Sequence, residues 1–247
     1  METATRIRRW DARSHLPPPM PGPAPLCQAW ADVAFVHWRV EPDAVAHLLP
    51  AGTSPDTLDG ATYVGLVAFR VPDTLVLGGL PVGAFNEANV RLYSVDEHGR
   101  RGVVFLTMDA DSAPVVAAAR SLSGLPYTWS DVSLRSGPGG RRAGAVRRRF
   151  PGAASGSWSL RVGEPLPGPG RLEHFLTARW GLHTPWAGAT RWIRVSHEPW
   201  GLHRATDVSY EGDLLTRAGV VAQSGAPISA LWSPGVVAEV TPTLPPA

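Results

Sequence analysis

The chain has 247 residues, 44% of them apolar and 18% charged, with a formal net charge of +2 and a pI near 9.1. That composition suits one large β-rich domain or two small ones, is too apolar for wholesale disorder, and holds no apolar run near the ~18 residues that a membrane-spanning helix needs. All 23 basic residues are Arg, so there is no lysine to form a Schiff base, and the single Cys27 excludes an internal disulfide and any cysteine-only metal site.

Residues 1–26 are rich in proline, with few periodic apolar positions, and read as an extended arm ahead of one domain over 27–247. The arginines in the arm have no apolar run behind them, so no secretory signal is read and a cytoplasmic protein is expected. Regular structure is expected from about Ala31. DVAFVHWRV (32–40) reads as a strand, DAVAHLLP as a short helix stopped by Pro50, and ATYVGLVAFRV (61–71) as a second strand. VPDTLVLGGLPVG (71–83) reads as a loop. AFNEANVRLYSV (84–95) and GVVFLTMDA (102–110) read as a hairpin around DEHGRR, the second strand being buried on both faces because its apolar run does not alternate.

A helix follows, capped by Asp111 or Ser112, with Pro114 in its first turn and Gly124 at its end. Strands are expected at 126–134, 143–150, 157–163, 189–197 and 202–210, with helices at 171–179 and in EGDLLTRAG, and ISALWSPGVVAEV closes the chain. Many strands and a few short helices make a β-dominated α+β domain.

In the 84–95 strand, Phe85, Glu87, Asn89, Arg91 and Tyr93 fall on one face, and Ala88, Val90 and Leu92 on the other. Polar side chains on the aromatic side are either a solvated face or the lining of a cavity. Glu87 and Arg91 stand roughly 13 Å apart along an extended strand, so they do not pair with each other and could hold opposite ends of a small ligand. Tyr127, Trp129 and Asp131 share a strand face. The bland role of Tyr127 and Trp129 is a core aromatic pair, and that of Arg120 is to offset the helix dipole from the last turn. His197 precedes Pro199-Trp200 in a polar–aromatic turn that it could simply fix; His37 reads as a satisfied strand histidine. No HExxH, GxSxG, P-loop or GxGxxG pattern is present, so no metal and no cofactor is expected. Five arginines in nine residues (141–149) read as a solvated hairpin tip rather than a nucleic-acid surface.

Several motifs in order carry a family resemblance: His37-Trp38, Leu48-Leu49-Pro50, Asp59-Gly60, Phe85-x-Glu87-x-Asn89-Val90-Arg91-x-Tyr93, Gly102 with Asp109-x-Asp111, Ala119-Arg120 through Leu125-Pro126-Tyr127, and His197-x-Pro199-Trp200. Together they resemble the YqjF-like family of bacterial proteins within the acetoacetate-decarboxylase-like superfamily. The resemblance implies an antiparallel β-barrel or cone with small peripheral helices and a central pocket. The decarboxylases of that superfamily carry Arg-Glu-x-x-Gly-x-Pro-Lys, whose lysine forms the Schiff base. Here the run is Arg120-Ser121-Leu122-Ser123-Gly124-Leu125-Pro126-Tyr127, with Tyr127 at the lysine position. A phenol makes no imine with a ketone.

Two functions follow as expectations. In the first, the pocket binds a small anionic or polar metabolite, with Arg91 or Arg120 on the anion, Glu87 and Asn89 on polar groups, Tyr127 and Trp129 as walls, and His197 among the polar lining. In the second, an amine-independent lyase, isomerase or hydratase acts on an oxo-acid-like substrate, with Glu87 moving a proton and Tyr127 stabilising an enolate-like oxygen. Neither involves nucleic acid or a membrane, and a homo-oligomer is compatible with both.

Overall fold

The computed structural model describes residues 16–17, 19–20, 22–76, 79–150, 152–223 and 225–241, so most of the expected N-terminal arm lies outside the described residues. The chain starts its regular structure with β1 (Leu26–Val40), then α1 (Pro42–Val45), β2 (Thr53–Pro55), β3 (Thr62–Val76), β4 (Leu80–Pro81), β5 (Phe85–Asp96) and β6 (Arg101–Ala110). The helix α2 (Ala113–Ser123) leads to β7 (Tyr127–Ser136), β8 (Arg141–Phe150), β9 (Ser155–Pro165) and α3 (Arg171–Thr177). β10 (Gly181–Trp186), β11 (Ala189–His197), β12 (His203–Gly212), α4 (Leu214–Arg217) and β13 (Ser229–Val240) complete it.

Several elements differ from expectation, among them β2, a three-residue strand paired with β5 that the sequence did not announce. β1 begins at Leu26 because it lies between two distant partners, Val240 and Val76. The stretch expected as a loop over 71–83 instead prolongs β3 to Val76, which pairs back on Leu80 of β4. β10 was not anticipated: a six-residue strand containing Pro185, it is held by β11 along its length and by Val103 of β6.

All thirteen strands join one sheet, whose pairings close into two rings sharing the wall β13–β1–β3–β5–β6. The first ring is completed by β10 and β11, the second by β7, β8, β9 and β12. The pairings are antiparallel except at β6–β7 and β6–β10. The first exception follows from connectivity, because α2 carries the chain across from the end of β6 to the start of β7, and a crossover of that kind leaves its strands parallel.

A shared wall explains why its strands read as continuous apolar runs. Val36, Trp38, Val64, Leu66, Val90 and Leu92 point into the second ring with Val132, Val146, Trp158 and Leu214. Phe35, Val67, Phe69, Phe85 and Tyr93 point into the first, against Met108, Tyr127, Phe175 and Leu202. Successive side chains alternate faces, and here both faces are interiors. Burying each large apolar side chain contributes about 1.5–3 kcal/mol, so a polar residue placed in this wall is costly unless it is well partnered.

Gly124 ends α2 as expected, in the left-handed region at φ 68°, and a Cβ there would stand 2.7 Å from Trp186 Cδ1 and 3.0 Å from the Pro185 carbonyl oxygen. The turn therefore needs glycine on two counts. Of the two expected caps, Ser112 takes the N-cap position without a side-chain bond, and the Asp111 carboxylate accepts from Asn86 N and Nδ2, both at 2.8 Å. The arginine run lies along β8, where Arg142 pairs with Asp32, Arg147 and Arg149 with Asp131, and Arg148 with Asp109.

Candidate functional site

The pairing register arranges the first-ring face of the wall in three rungs. They are Phe69–Glu87–Ala110–Trp129, then Phe35–Val67–Asn89–Met108–Tyr127, then His37–Gly65–Arg91–Phe105. Glu87, Asn89 and Arg91 thus step along β5 on one interior face, Glu87 and Asn89 only 3% and 2% exposed.

The Glu87 carboxylate is held by two donors. Tyr127 donates its hydroxyl to Oε2 at 2.8 Å, and Asn89 Nδ2 donates to Oε1 at 3.0 Å. Full burial pushes the Glu87 carboxyl up from 4.5 to about 7, with the Asp109 charge adding to the rise and the two hydrogen bonds opposing it. The Tyr127 phenol is driven well above 10 by its own burial and by the carboxylate beside it, so it stays a donor. Asp109 is paired opposite Ala88 and lies on the other side of the sheet, where Arg148 grips it through two bonds of 2.7 and 3.0 Å and Ser130 donates at 2.7 Å.

At the other end of the face, the last turn of α3 is satisfied by the wall. The Leu176 carbonyl accepts from Tyr93 OH at 2.9 Å and from Arg91 Nη2 at 3.1 Å, and the Thr177 carbonyl accepts from Trp200 Nε1 at 3.2 Å. A guanidinium there also suits the negative end of the helix dipole. Because the Tyr93 proton goes to Leu176, the 2.7 Å bond between His37 Nε2 and Tyr93 OH has His37 as donor. Burial, then the Arg91 charge, keeps the His37 imidazole neutral, well below 6.5.

Three buried polar atoms on this face have no hydrogen-bond partner among the described residues: Asn89 Oδ1, Arg91 Nε and His37 Nδ1. The first and third are bare acceptors and the second is a bare donor. Buried groups of this kind normally find partners, so an unpaired set on adjoining rungs calls for one. Among the described residues, no three His, Cys, Asp or Glu side chains gather as a metal site.

The chain matches the model of the DUF2071 family, described as uncharacterized conserved proteins, over residues 27–237. It belongs to that family. The curated relative YqjF of Bacillus subtilis (strain 168), itself described as uncharacterized, is 29% identical over 183 residues, covering 72% of this chain and 75% of the relative. Among solved structures, the acetoacetate decarboxylase of Legionella pneumophila is similar with a TM-score of 0.63 at 15% identity, over 91% of this chain and 90% of that one. The enduracididine biosynthesis enzyme MppR, solved with pyruvate, is similar with a TM-score of 0.60 at 18% identity, over 90% and 88%. This family member therefore has an acetoacetate-decarboxylase-like fold.

The structure brings Glu87, Asn89 and Tyr127 into direct contact and sets Arg91 two residues further along β5. His197 is buried nearby, its ring 4.6 to 6.0 Å from those of Trp200, Trp180 and Trp30. Its Nδ1 donates to the Glu198 carbonyl at 2.7 Å, and burial with the Arg91 charge holds it down at about 4. Arg120 stays outside the cluster: its Nη1 donates to the Tyr127 carbonyl at 2.8 Å, fastening α2 to β7.

Trp129, expected as a wall of the pocket, is 41% exposed, with the Arg149 guanidinium 4.8 Å from its ring centre. The cause is topological. β7 belongs to the second ring, so its other face looks outward; Tyr127 is covered by Val115 and Val116 of α2 in one apolar cluster, and Trp129 is left at the rim. His37, read from the sequence as a satisfied strand histidine, is bonded only at Nε2 and leaves Nδ1 without a partner among the described residues, and Gly65 is the participant that the sequence reading passed over. A Cβ on Gly65 would lie 2.9 Å from His37 Cδ2 and 3.5 Å from Arg91 Cγ, so the glycine makes room for both side chains. A lone glycine inside so apolar a strand is the signal of such a close approach.

Proposed function

We propose that this DUF2071 protein binds a small anionic metabolite of the 2-oxo-acid class against the Glu87–Asn89–Arg91 face. The observation that carries the reading is the set of buried, unpartnered atoms, Asn89 Oδ1, Arg91 Nε and His37 Nδ1, beside a carboxyl poised near neutral pH. A ligand carboxylate would accept from Arg91, and ligand hydroxyl or hydrate groups would donate to Asn89 and His37. The solved neighbour carrying pyruvate supports the choice of ligand class. The ion-paired arginines of β8 favour a small ligand over nucleic acid.

A second reading, proton transfer on the bound ligand without an imine, is favoured by the Glu87–Tyr127 pair. With tyrosine at position 127 and no lysine in the chain, imine chemistry through a lysine has no place in it. The ionised Glu87 would take a proton from the carbon next to the ketone, and the electron pair would move onto the carbonyl oxygen. Once Glu87 is protonated it holds the Tyr127 hydroxyl less strongly, freeing that donor for the developing enolate oxygen.

Native mass spectrometry of the purified protein, followed by calorimetric titration with pyruvate, tests binding. Exchange of pyruvate methyl protons into deuterated water, followed by NMR, tests proton transfer. Glu87→Gln is expected to slow enzyme-dependent exchange by at least about 100-fold while pyruvate still binds. The absence of any bound acid together with no measurable affinity for pyruvate or a longer 2-oxo acid would sink the reading; binding without exchange in the wild type would leave the binding function and remove the catalytic one.

A further inference from the structure

Outside the first ring, an open cleft of about 730 Å³ runs between the ends of β3 and β5 and the start of α2. Val71, Phe85, Pro114 and Trp129 give it apolar walls, and Arg70 and Asn86 stand among them. Its position follows from the strand register. Trp129 shares a rung with Glu87, with only Ala110 between them, and the Val71–Phe85 pair forms the next rung out. One pleat of about 7 Å therefore separates Phe85 from Glu87 on the same face of β5. Phe85 is 5% exposed and packs in one cluster with Phe69 and Tyr127, while also lining the cleft. It is the side chain that stands between the outer cleft and the buried carboxyl.

We propose that the cleft receives the apolar tail of the same ligand whose acid end reaches the Glu87–Arg91 face, so that the natural substrate is a medium-chain or aryl-substituted 2-oxo acid rather than pyruvate itself. The inference rests on the binding reading above. It gives a role to an exposed tryptophan that the buried site does not use: the indole, with the Arg149 guanidinium against its ring, offers a flat apolar surface at the ring's rim. The cleft is far larger than a methyl group requires and continues the face that carries the polar groups. Arg70, ion-paired with Asp32 at 3.7 Å and donating to the Leu134 carbonyl at 2.6 Å, and the Asp111 carboxylate, held by Asn86, are the charged groups of the lining, and both are partnered.

Calorimetric titration with pyruvate, 2-oxobutanoate, 2-oxohexanoate and 2-oxooctanoate tests this. For the wild type, affinity is expected to rise about 2- to 4-fold for each methylene that passes Phe85 into the cleft. Filling the cleft with Ala113→Trp is expected to flatten that rise, measured as the ratio of 2-oxooctanoate to pyruvate affinity within the same protein. Ala84→Trp, which fills it from the opposite side, keeps the test open if the first variant misfolds. A flat series in the wild type, or an undiminished rise in the filled variants, overturns the cleft assignment alone. Failure of every acid to bind overturns the reading of the buried site, and the cleft assignment with it.

Discussion

Replacing Glu87 with glutamine should stabilise the ligand-free protein, by an amount that depends on pH in a defined direction. The folded-state carboxyl titrates near 7 rather than 4.5, chiefly because it is buried. Between those two values the folded chain holds a proton that the unfolded chain has released, so stability falls as pH rises through the interval. The cost is complete above about pH 7 and amounts to about 3 kcal/mol, at about 1.36 kcal/mol per pH unit. Glutamine keeps the shape, accepts from Asn89 and donates to Tyr127, and has nothing to ionise. Urea unfolding at pH 5 should therefore show little difference between the two proteins, and at pH 8 should show Glu87→Gln more stable by about 3 kcal/mol, or roughly 6–12 °C in Tm for a chain of this length. A stability difference that stays constant from pH 5 to pH 8, or one that favours the wild type at pH 8, would refute the argument that the carboxyl is buried and strained by its charge.

Three further predictions follow from the contacts around this site. Tyr127→Phe removes one of the two donors to Glu87 and should raise the carboxyl further above 7, by about one pH unit, read from the carbon-13 NMR titration of the Glu87 side chain. Arg148→Met leaves the Asp109 carboxylate buried with Ser130 as its remaining donor; a loss of about 3–5 kcal/mol in urea unfolding is expected, and a loss below about 1 kcal/mol would show the pair to be dispensable. Gly65→Ala pushes a methyl group into His37 and should cost about 1–3 kcal/mol while disturbing the His37–Tyr93 hydrogen bond, detectable as a changed imidazole nitrogen shift.

Local chemistry made much of this molecule legible. The alternation along 84–95 placed Glu87, Asn89 and Arg91 on one face, and the Ser-Gly-Leu-Pro-Tyr run marked where α2 stops and β7 starts. Pairings between distant segments were not legible. β10 is too short and too broken by Pro185 to announce itself, and β1 owes its first five residues to β3 and β13. The anchoring of Arg91 and Tyr93 on the end of α3 joins residues more than eighty positions apart, and no spacing rule points to it. The place of Trp129, at the rim and not among the buried groups, was hidden for a related reason: alternation gives the face of a strand, and only the closure of the rings decides whether that face is inside or outside.

The shared wall also constrains how such a chain can change over time. Along β5, Glu87, Asn89 and Arg91 form the polar row, and Ala88, Val90 and Leu92 on the opposite face anchor the second core. Inserting or deleting one residue would exchange the two sets and spoil both interiors at once. Substitution is the change this strand can absorb. The polar row can be rewritten position by position for a new ligand while the apolar row behind it stays as it is, so relatives with different chemistry are expected to differ in the identities along this strand and to agree in its length.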